Sequence, residues 1–257
     1  MTIELNPELD LEALANEFQA AQKLRVQNIF TTESAEYILD QLKNATPWHL
    51  VHSDKHGLPV KYNPQQLTAM SDAEFQGINN RLHERAASGY QYMYKFYPII
   101  DAIQAGALSP SSMLYELANF VNGTEFIGFS RALTGAKNLV KVDPQASLYE
   151  PGHFLHMHDD SSDQRAANDT SSRRFAIVLG FTKDWSSNWG GQTCFYDRPD
   201  SVASQSWKPG FNVLTIFKVP VLHNVNYVSP FAATGRYSIT GWLRDDPNIK
   251  RPDLGDT

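Results

Sequence analysis

Within one short stretch the chain reads His156-Met157-His158-Asp159-Asp160. Side chains two apart on a strand point the same way, so His156, His158 and Asp160 would share one face and Met157 and Asp159 the other. Three potential metal ligands then line one side. A further histidine, His223, lies well downstream in a strand-like segment that a jelly-roll could lay beside the first. Two imidazoles and one carboxylate on one face of a metal leave its remaining positions open, and this donor set suits non-haem Fe(II). On its own a His-x-Asp tripeptide is a weak signal, because most are solvated or hydrogen-bonded structurally.

Beyond His223, Arg236 and Ser238 are again two apart in a strand-like run. An arginine offers a planar fork of donors that matches a carboxylate, and burying it in a barrel would demand such an anionic partner. Cys194 is the sole cysteine. That excludes an internal disulfide and a thiolate-rich zinc or iron–sulfur site, so any metal must be held by histidine and carboxylate. Cys194 itself reads as strand packing. His153 reads as a turn residue, and His49, His52 and His56, between Pro47 and Pro59 with no matching carboxylate pattern, read as a surface loop.

These residues need a scaffold. In the first half, apolar residues recur at helical spacing in Leu9, Leu11, Leu14, Ala15 and Phe18, and again in Ala35, Ile38, Leu39 and Leu42 after a Thr31-Thr32-Glu33 start. Residues 89–96 change period and place Tyr90, Tyr92, Tyr94 and Phe96 on one face of a strand. Such a stripe is a core feature first and a ligand surface second. A helix is expected over 111–122, ended by Gly123. From Leu148 onward the signals become short strands between turn residues: 155–160, 174–181, 193–196, 212–218, 223–228 and 236–242. Six such strands predict an antiparallel jelly-roll or barrel. The polar stretch 161–172 reads as a mobile loop, and residues 245–257 as a poorly ordered tail.

The 257 residues, 42% hydrophobic and 19% charged, can bury a substantial core. A formal net charge of −6 argues against direct nucleic-acid binding, which needs clustered Lys and Arg. The start, MTIELNPELDLEALANEF, has neither a basic leader nor a continuous apolar core, and no later stretch is apolar enough to span a bilayer. No membrane role and a cytoplasmic location are therefore expected. Oligomeric state is not legible.

Several motifs now combine. They are Tyr149-x-x-Gly152-x-x-Leu155-x-x-His158-x-Asp160, Arg173-Arg174-Phe175-Ala176-Ile177 leading to Lys183-Asp184-Trp185, Gly190-Gly191, His223, and Arg236-Tyr237-Ser238-Ile239-Thr240-Gly241-Trp242. With Asn119-Phe120-Val121-Asn122 and Glu125-Phe126 before them, the chain resembles the 2-oxoglutarate and Fe(II)-dependent oxygenases of prolyl-hydroxylase type. Within that family the ribosomal prolyl hydroxylases look most similar.

The resemblance implies an α+β fold with a double-stranded β-helix (jelly-roll, cupin-like) core and N-terminal packing helices. Residues 1–145 would supply helices and supporting strands of the same domain, 146–244 the catalytic core, and 245–257 the tail. It further implies Fe(II) on His158, Asp160 and His223, with 2-oxoglutarate and O2 as co-substrates and ascorbate as a candidate reductant. Arg236 would pair with the far carboxylate of 2-oxoglutarate, Ser238 would support Arg236, and Tyr149 would touch the co-substrate. His156 falls outside the family pattern. Gly180 departs from it, standing where relatives often carry a tyrosine that adds a hydrogen bond to that carboxylate.

The expected reaction is hydroxylation of an unactivated C–H bond, on a prolyl residue of a protein, with the translation machinery as leading candidate. A free amino acid or small metabolite is the alternative substrate. A non-catalytic cupin-like metal-binding module is the alternative function.

Overall fold

A computed structural model describes residues 2–161 and 172–254. The elements run α1 (Leu11–Ala21), β1 (Lys23–Gln27), α2 (Thr32–Asn44), β2 (His49–Ser53), β3 (Pro59–Tyr62), α3 (Pro64–Ala69), α4 (Asp72–Ala86), β4 (Tyr92–Tyr97), α5 (Ile99–Gln104), α6 (Met113–Asn122) and α7 (Thr124–Thr134). Strands then dominate: β5 (Leu139–Val142), β6 (Gln145–Tyr149), β7 (Phe154–His158), β8 (Ser172–Phe181), β9 (Thr193–Tyr196), β10 (Gln205–Trp207), β11 (Phe211–Lys218), β12 (Leu222–Val225) and β13 (Arg236–Asp245).

Local chemistry explains the helix starts. Asp10, Thr31 and Ser112 each accept a backbone N–H of the first turn from the N-cap position, satisfying donors that the helix itself cannot. Helix α2 then buries Ala35, Ile38, Leu39 and Leu42, the apolar set its spacing predicts. The stretch 111–122 is helical from Met113, with Ser112 as cap.

The strands join in one curled antiparallel sheet, in the order β1-β11-β8-β13-β6-β4-β7-β12-β9-β10. Alternation gives the wall β11, β8 and β13 two different faces. Outward, Ile177, Leu179, Phe181, Leu214, Ile216, Ile239 and Leu243 pack with Phe18, Ile38, Leu42, Leu117, Val121 and Phe126 of the helices. Inward, Val178, Gly180, Arg236, Thr240 and Trp242 border open space instead. The opposite wall, β7, β12 and β9, carries the histidines. This is the double-stranded β-helix with packing helices that the sequence led us to expect.

Several expectations need correction. His49 and His52 lie in β2 rather than a surface loop; β2 pairs with β4, and His52 is only 7% exposed. His153 does sit in a turn, yet it is buried and accepts the Glu150 N–H on Nδ1 at 3.0 Å. Strand β4 starts at Tyr92, so Tyr90 stands outside it. The final segment is tied down over residues 245–254: Asp245 belongs to β13, and Arg251 donates to the carbonyls of Asn122 and Val140 at 3.0 and 2.8 Å. The loop expected at 161–172 lies outside the described residues except at its two ends. No described helix is long and apolar enough to cross a membrane.

Candidate metal and co-substrate site

His158 ends β7, and the register of β7 with β12 places His223 directly across from it. The two rings lie 4.2 Å apart between centroids. Asp160 reaches them differently from the expected strand alternation. The strand stops at His158, and Asp160 has a positive φ of 61°, a turn conformation that aspartate tolerates better than most residues. The turn brings Asp160 Oδ1 to 3.4 Å from His158 Nε2 and Oδ2 to 3.5 Å from His223 Nε2. One potential ligand atom from each of the three residues lies within 4.8 Å of the others, the spacing a single metal ion needs.

The backbone orients both imidazoles. His158 Nδ1 lies 2.9 Å from the His156 carbonyl and His223 Nδ1 2.8 Å from the Val221 carbonyl. A carbonyl only accepts, so each Nδ1 carries the proton and each Nε2 presents a lone pair toward Asp160. That is the tautomer a metal-binding histidine requires. Burial, with His158 alongside, pushes His223 down to about 4, which keeps the ring neutral near pH 7. Burial pushes Asp160 upward, but the nearness of the two histidines outweighs it and holds the carboxyl below the ordinary carboxylate range. His156 points elsewhere: its Nδ1 contacts the Gly89 carbonyl at 3.1 Å and Gln91 N at 3.3 Å, and its ring packs on Phe154.

The triad opens into a cavity of about 600 Å³. At its inner end stands Arg236, 5% exposed, opposite Tyr149 in the β13–β6 ladder. Its Nη2 donates to Thr193 Oγ1 at 3.0 Å, and its guanidinium lies 5.2 Å from the centroid of the Tyr149 ring. Nη1 is buried and has no hydrogen-bond partner among the described residues. The same holds for Ser238 Oγ, so the hydroxyl that holds Arg236 is that of Thr193 rather than Ser238. A buried cation with an unmet donor costs stability and is suited to an incoming carboxylate.

Tyr149 is stacked on Tyr94 at 5.0 Å, and Tyr94, Tyr92 and Tyr90 continue as a file of rings toward the surface. They line the cavity instead of filling the core. Near the triad, the Arg173 guanidinium lies 3.7 Å from the centroid of the Trp242 ring and donates to the Asp160 carbonyl at 3.3 Å. Thr193 escaped the sequence reading, as it comes from a separate strand. Trp242 could have been found, since it continues the alternation of Arg236, Ser238 and Thr240.

Other motif residues prove to be structural. Gly190 and Gly191 both have positive φ, and a Cβ on Gly190 would lie 2.0 Å from the Tyr227 carbonyl oxygen, so only glycine fits. Trp185 is buried and donates to the Gly190 carbonyl. Gly180 is also constrained: its Cβ would fall 2.8 Å from the carbonyl oxygen of Gly210.

Residues 144–244 match the model of the 2OG-Fe(II) oxygenase superfamily. No curated protein sequence matches the chain. Among solved structures, a Pseudomonas putida prolyl-4-hydroxylase is 15% identical, with a TM-score of 0.55 over 91% of this chain and 98% of its own. An oxidoreductase of the 2OG-Fe(II) oxygenase family from Burkholderia pseudomallei is 14% identical, with a TM-score of 0.56 over 94% and 95%. A Trichoplax adhaerens prolyl hydroxylase, solved with a hypoxia inducible factor peptide fragment, is 16% identical, with a TM-score of 0.57 over 91% and 89%. The triad and Arg236 all fall within the matched segment: residues 144–244 match a 2OG-Fe(II) oxygenase domain, and the chemistry this supports is that of a 2-oxoglutarate- and Fe(II)-dependent dioxygenase.

Proposed function

We propose that this enzyme hydroxylates a prolyl residue within a protein, with Fe(II) held by His158, Asp160 and His223 and 2-oxoglutarate anchored at Arg236. The observation that carries the site assignment is the pairing, in one cavity, of a triad whose two Nε2 atoms face a carboxylate with a buried guanidinium whose Nη1 lacks a partner. With metal, co-substrate and O2 bound, the chemistry supplied is oxidative decarboxylation of 2-oxoglutarate to succinate and CO2, coupled to hydroxylation of a C–H bond.

The protein's own groups have distinct tasks. His158 and His223 present fixed lone pairs, because backbone carbonyls hold their opposite nitrogens. Asp160 contributes the negative charge of the ligand set, its carboxyl held below the ordinary carboxylate range. Arg236 sets the direction in which the co-substrate lies, and Tyr149, stacked on Tyr94, walls its side and limits water. Residues 146–244 would thus form the catalytic core, with 1–145 buttressing it within the same domain.

For the substrate, the support is the mouth of the cavity and the likeness to prolyl hydroxylases. Tyr90 is 43% exposed, and its ring centroid lies 6.4 Å from that of His158, so a flat aromatic surface is offered at the distance of the reacting centre. Such a ring packs well on a pyrrolidine. The net charge of −6 favours encounter with a basic protein, for which a component of the translation machinery is the leading candidate. The lone buried Cys194 agrees with a reducing, cytoplasmic setting.

The test compares extract proteins with free L-proline as substrates, in the presence of Fe(II), 2-oxoglutarate and O2. The expected result is a mass gain of about 16 Da, one added oxygen atom, on a prolyl peptide, together with succinate. Rapid turnover of free proline with no modified peptide would assign the enzyme to small metabolites instead.

A further inference from the structure

A second arginine reaches the inner end of the cavity from a part of the chain far from the motifs. Arg25 lies on β1, the edge strand that pairs with β11, opposite Thr215. Its neighbours Leu24 and Val26 are buried against the helices, so alternation turns Arg25 to the inner side of the wall. There Arg25 and Arg236 both line a small cavity of about 20 Å³, together with Gly180, Gly210, Thr215 and Ser238. Val178, Thr193 and Arg236 line this space and the large cavity alike, so the two are contiguous through Arg236.

The charge balance there is unusual. Two guanidinium groups face one space that the exposed Lys208 also lines, and no Asp or Glu is among its lining residues. Arg25 Nε, Arg236 Nη1 and Ser238 Oγ are all buried without hydrogen-bond partners among the described residues. Unpaired buried donors of like charge destabilise the fold unless an anion joins them. The backbone is also shaped for Arg25. A Cβ on Gly210 would come within 2.6 Å of Arg25 Nη2, so the absence of a side chain at 210 makes room for the guanidinium. Gly180 lets the Gly210 carbonyl approach in turn.

We propose that Arg25 is the second cation of the co-substrate site, acting with Arg236 on the distal carboxylate of 2-oxoglutarate. This rests on Arg236 receiving that carboxylate. The two arginines then form a paired anion end in which charge from β1 stands where the sequence provides no tyrosine at 180. The consequence is selectivity: Arg25 matters for a ligand with a distal carboxylate and is indifferent to one without it.

The experiment measures equilibrium binding to the Fe(II)-loaded, full-length protein under anaerobic conditions, followed by the charge-transfer absorbance of the 2-oxoacid complex. The probes are 2-oxoglutarate and 2-oxopentanoate, which has a methyl group in place of the distal carboxylate. Arg25→Gln is expected to weaken 2-oxoglutarate roughly tenfold or more, the scale of a charge-assisted contact, while 2-oxopentanoate changes by less than about twofold. Arg25→Lys should recover part of the loss. Gly210→Ala, which leaves Arg25 in the sequence but displaces its guanidinium, should reproduce the selective loss, and circular dichroism checks that each variant is folded. Equal weakening of both probes by Arg25→Gln would reduce Arg25 to a structural role and overturn the proposal. So would 2-oxoglutarate binding unchanged in both Arg25→Gln and Gly210→Ala, even though Arg236→Met weakens it. Failure of the wild type to bind 2-oxoglutarate at all would overturn the site assignment itself, and this proposal with it.

Discussion

The two ends of the cavity solve the problem of buried polar groups in opposite ways. At the metal end the ligand residues have company: both Nδ1 atoms rest on carbonyls, and both Nε2 atoms face Asp160. At the anion end Arg236 Nη1, Arg25 Nε and Ser238 Oγ have no described partner. The first end is organised by the protein itself, whereas the second, in the proposed reading, is organised for a ligand. Pre-arranged donors of this kind lower the cost of binding, because the protein has already lost their hydration during folding.

The sharpest way to break the contrast is to remove a ligand from the metal end. Asp160→Ala and His223→Ala are expected to lose Fe(II) and to reduce activity by more than the roughly 10- to 100-fold that losing a supporting partner of a ligand costs. His156→Ala, whose ring points to Gly89 and Gln91, should keep its metal. Anaerobic Fe(II) titration of the variants decides this, and metal loss in His156→Ala with retention in His158→Ala would shift the assigned register by two residues.

Removing the cation at the other end should separate binding from stability. Arg236→Met is expected to keep iron but raise the KM for 2-oxoglutarate by an amount equivalent to ~2 to 4 kcal/mol. Without ligand the same variant should unfold at higher denaturant, by ~1 to 3 kcal/mol, since an unmet buried charge has been replaced by apolar contact. A variant that lost stability along with co-substrate binding would show that Arg236 is satisfied within the fold, and the contrast would fail.

Acid titration probes the buried histidines. His153 and His223 are both pushed down to about 4, mainly by burial, against an unfolded value near 6.5. The unfolded chain therefore takes up protons first as pH falls. Stability should be unaffected by these two groups above about 6.5, decline between about 6.5 and 4, and level off with respect to them below that. Urea unfolding of the metal-free protein across this range is the measurement, and His153→Gln should flatten the slope. An unchanged slope in that variant would mean that His153 is not neutral in the folded state.

The smallest effect is expected at Gly180. Installing the tyrosine that the family resemblance would place there should cost stability, by roughly 1 to 3 kcal/mol as overpacking does, and leave 2-oxoglutarate no more tightly bound, because its Cβ would meet the Gly210 carbonyl at 2.8 Å. Tighter binding in Gly180→Tyr would show that the wall between β8 and β11 yields more readily than this contact allows.

Much of this was written locally. Caps at Thr31 and Ser112, helical spacing through Leu42, and period-two alternation from Arg236 to Trp242 each depend on a few neighbouring residues, so the sequence alone located these elements and singled out His158, Asp160, His223 and Arg236 as candidates. Alternation says which face a side chain takes, but it is silent on which strand lies beside it. The turn that swings Asp160 toward both histidines, the pairing of His223 with His158, the donation from Arg236 to Thr193 and the arrival of Arg25 on an edge strand all arise from contacts between distant segments. Those were settled only by how the sheet curls, because side chains far apart in the chain meet through strand register and layer packing, which no short window of sequence encodes.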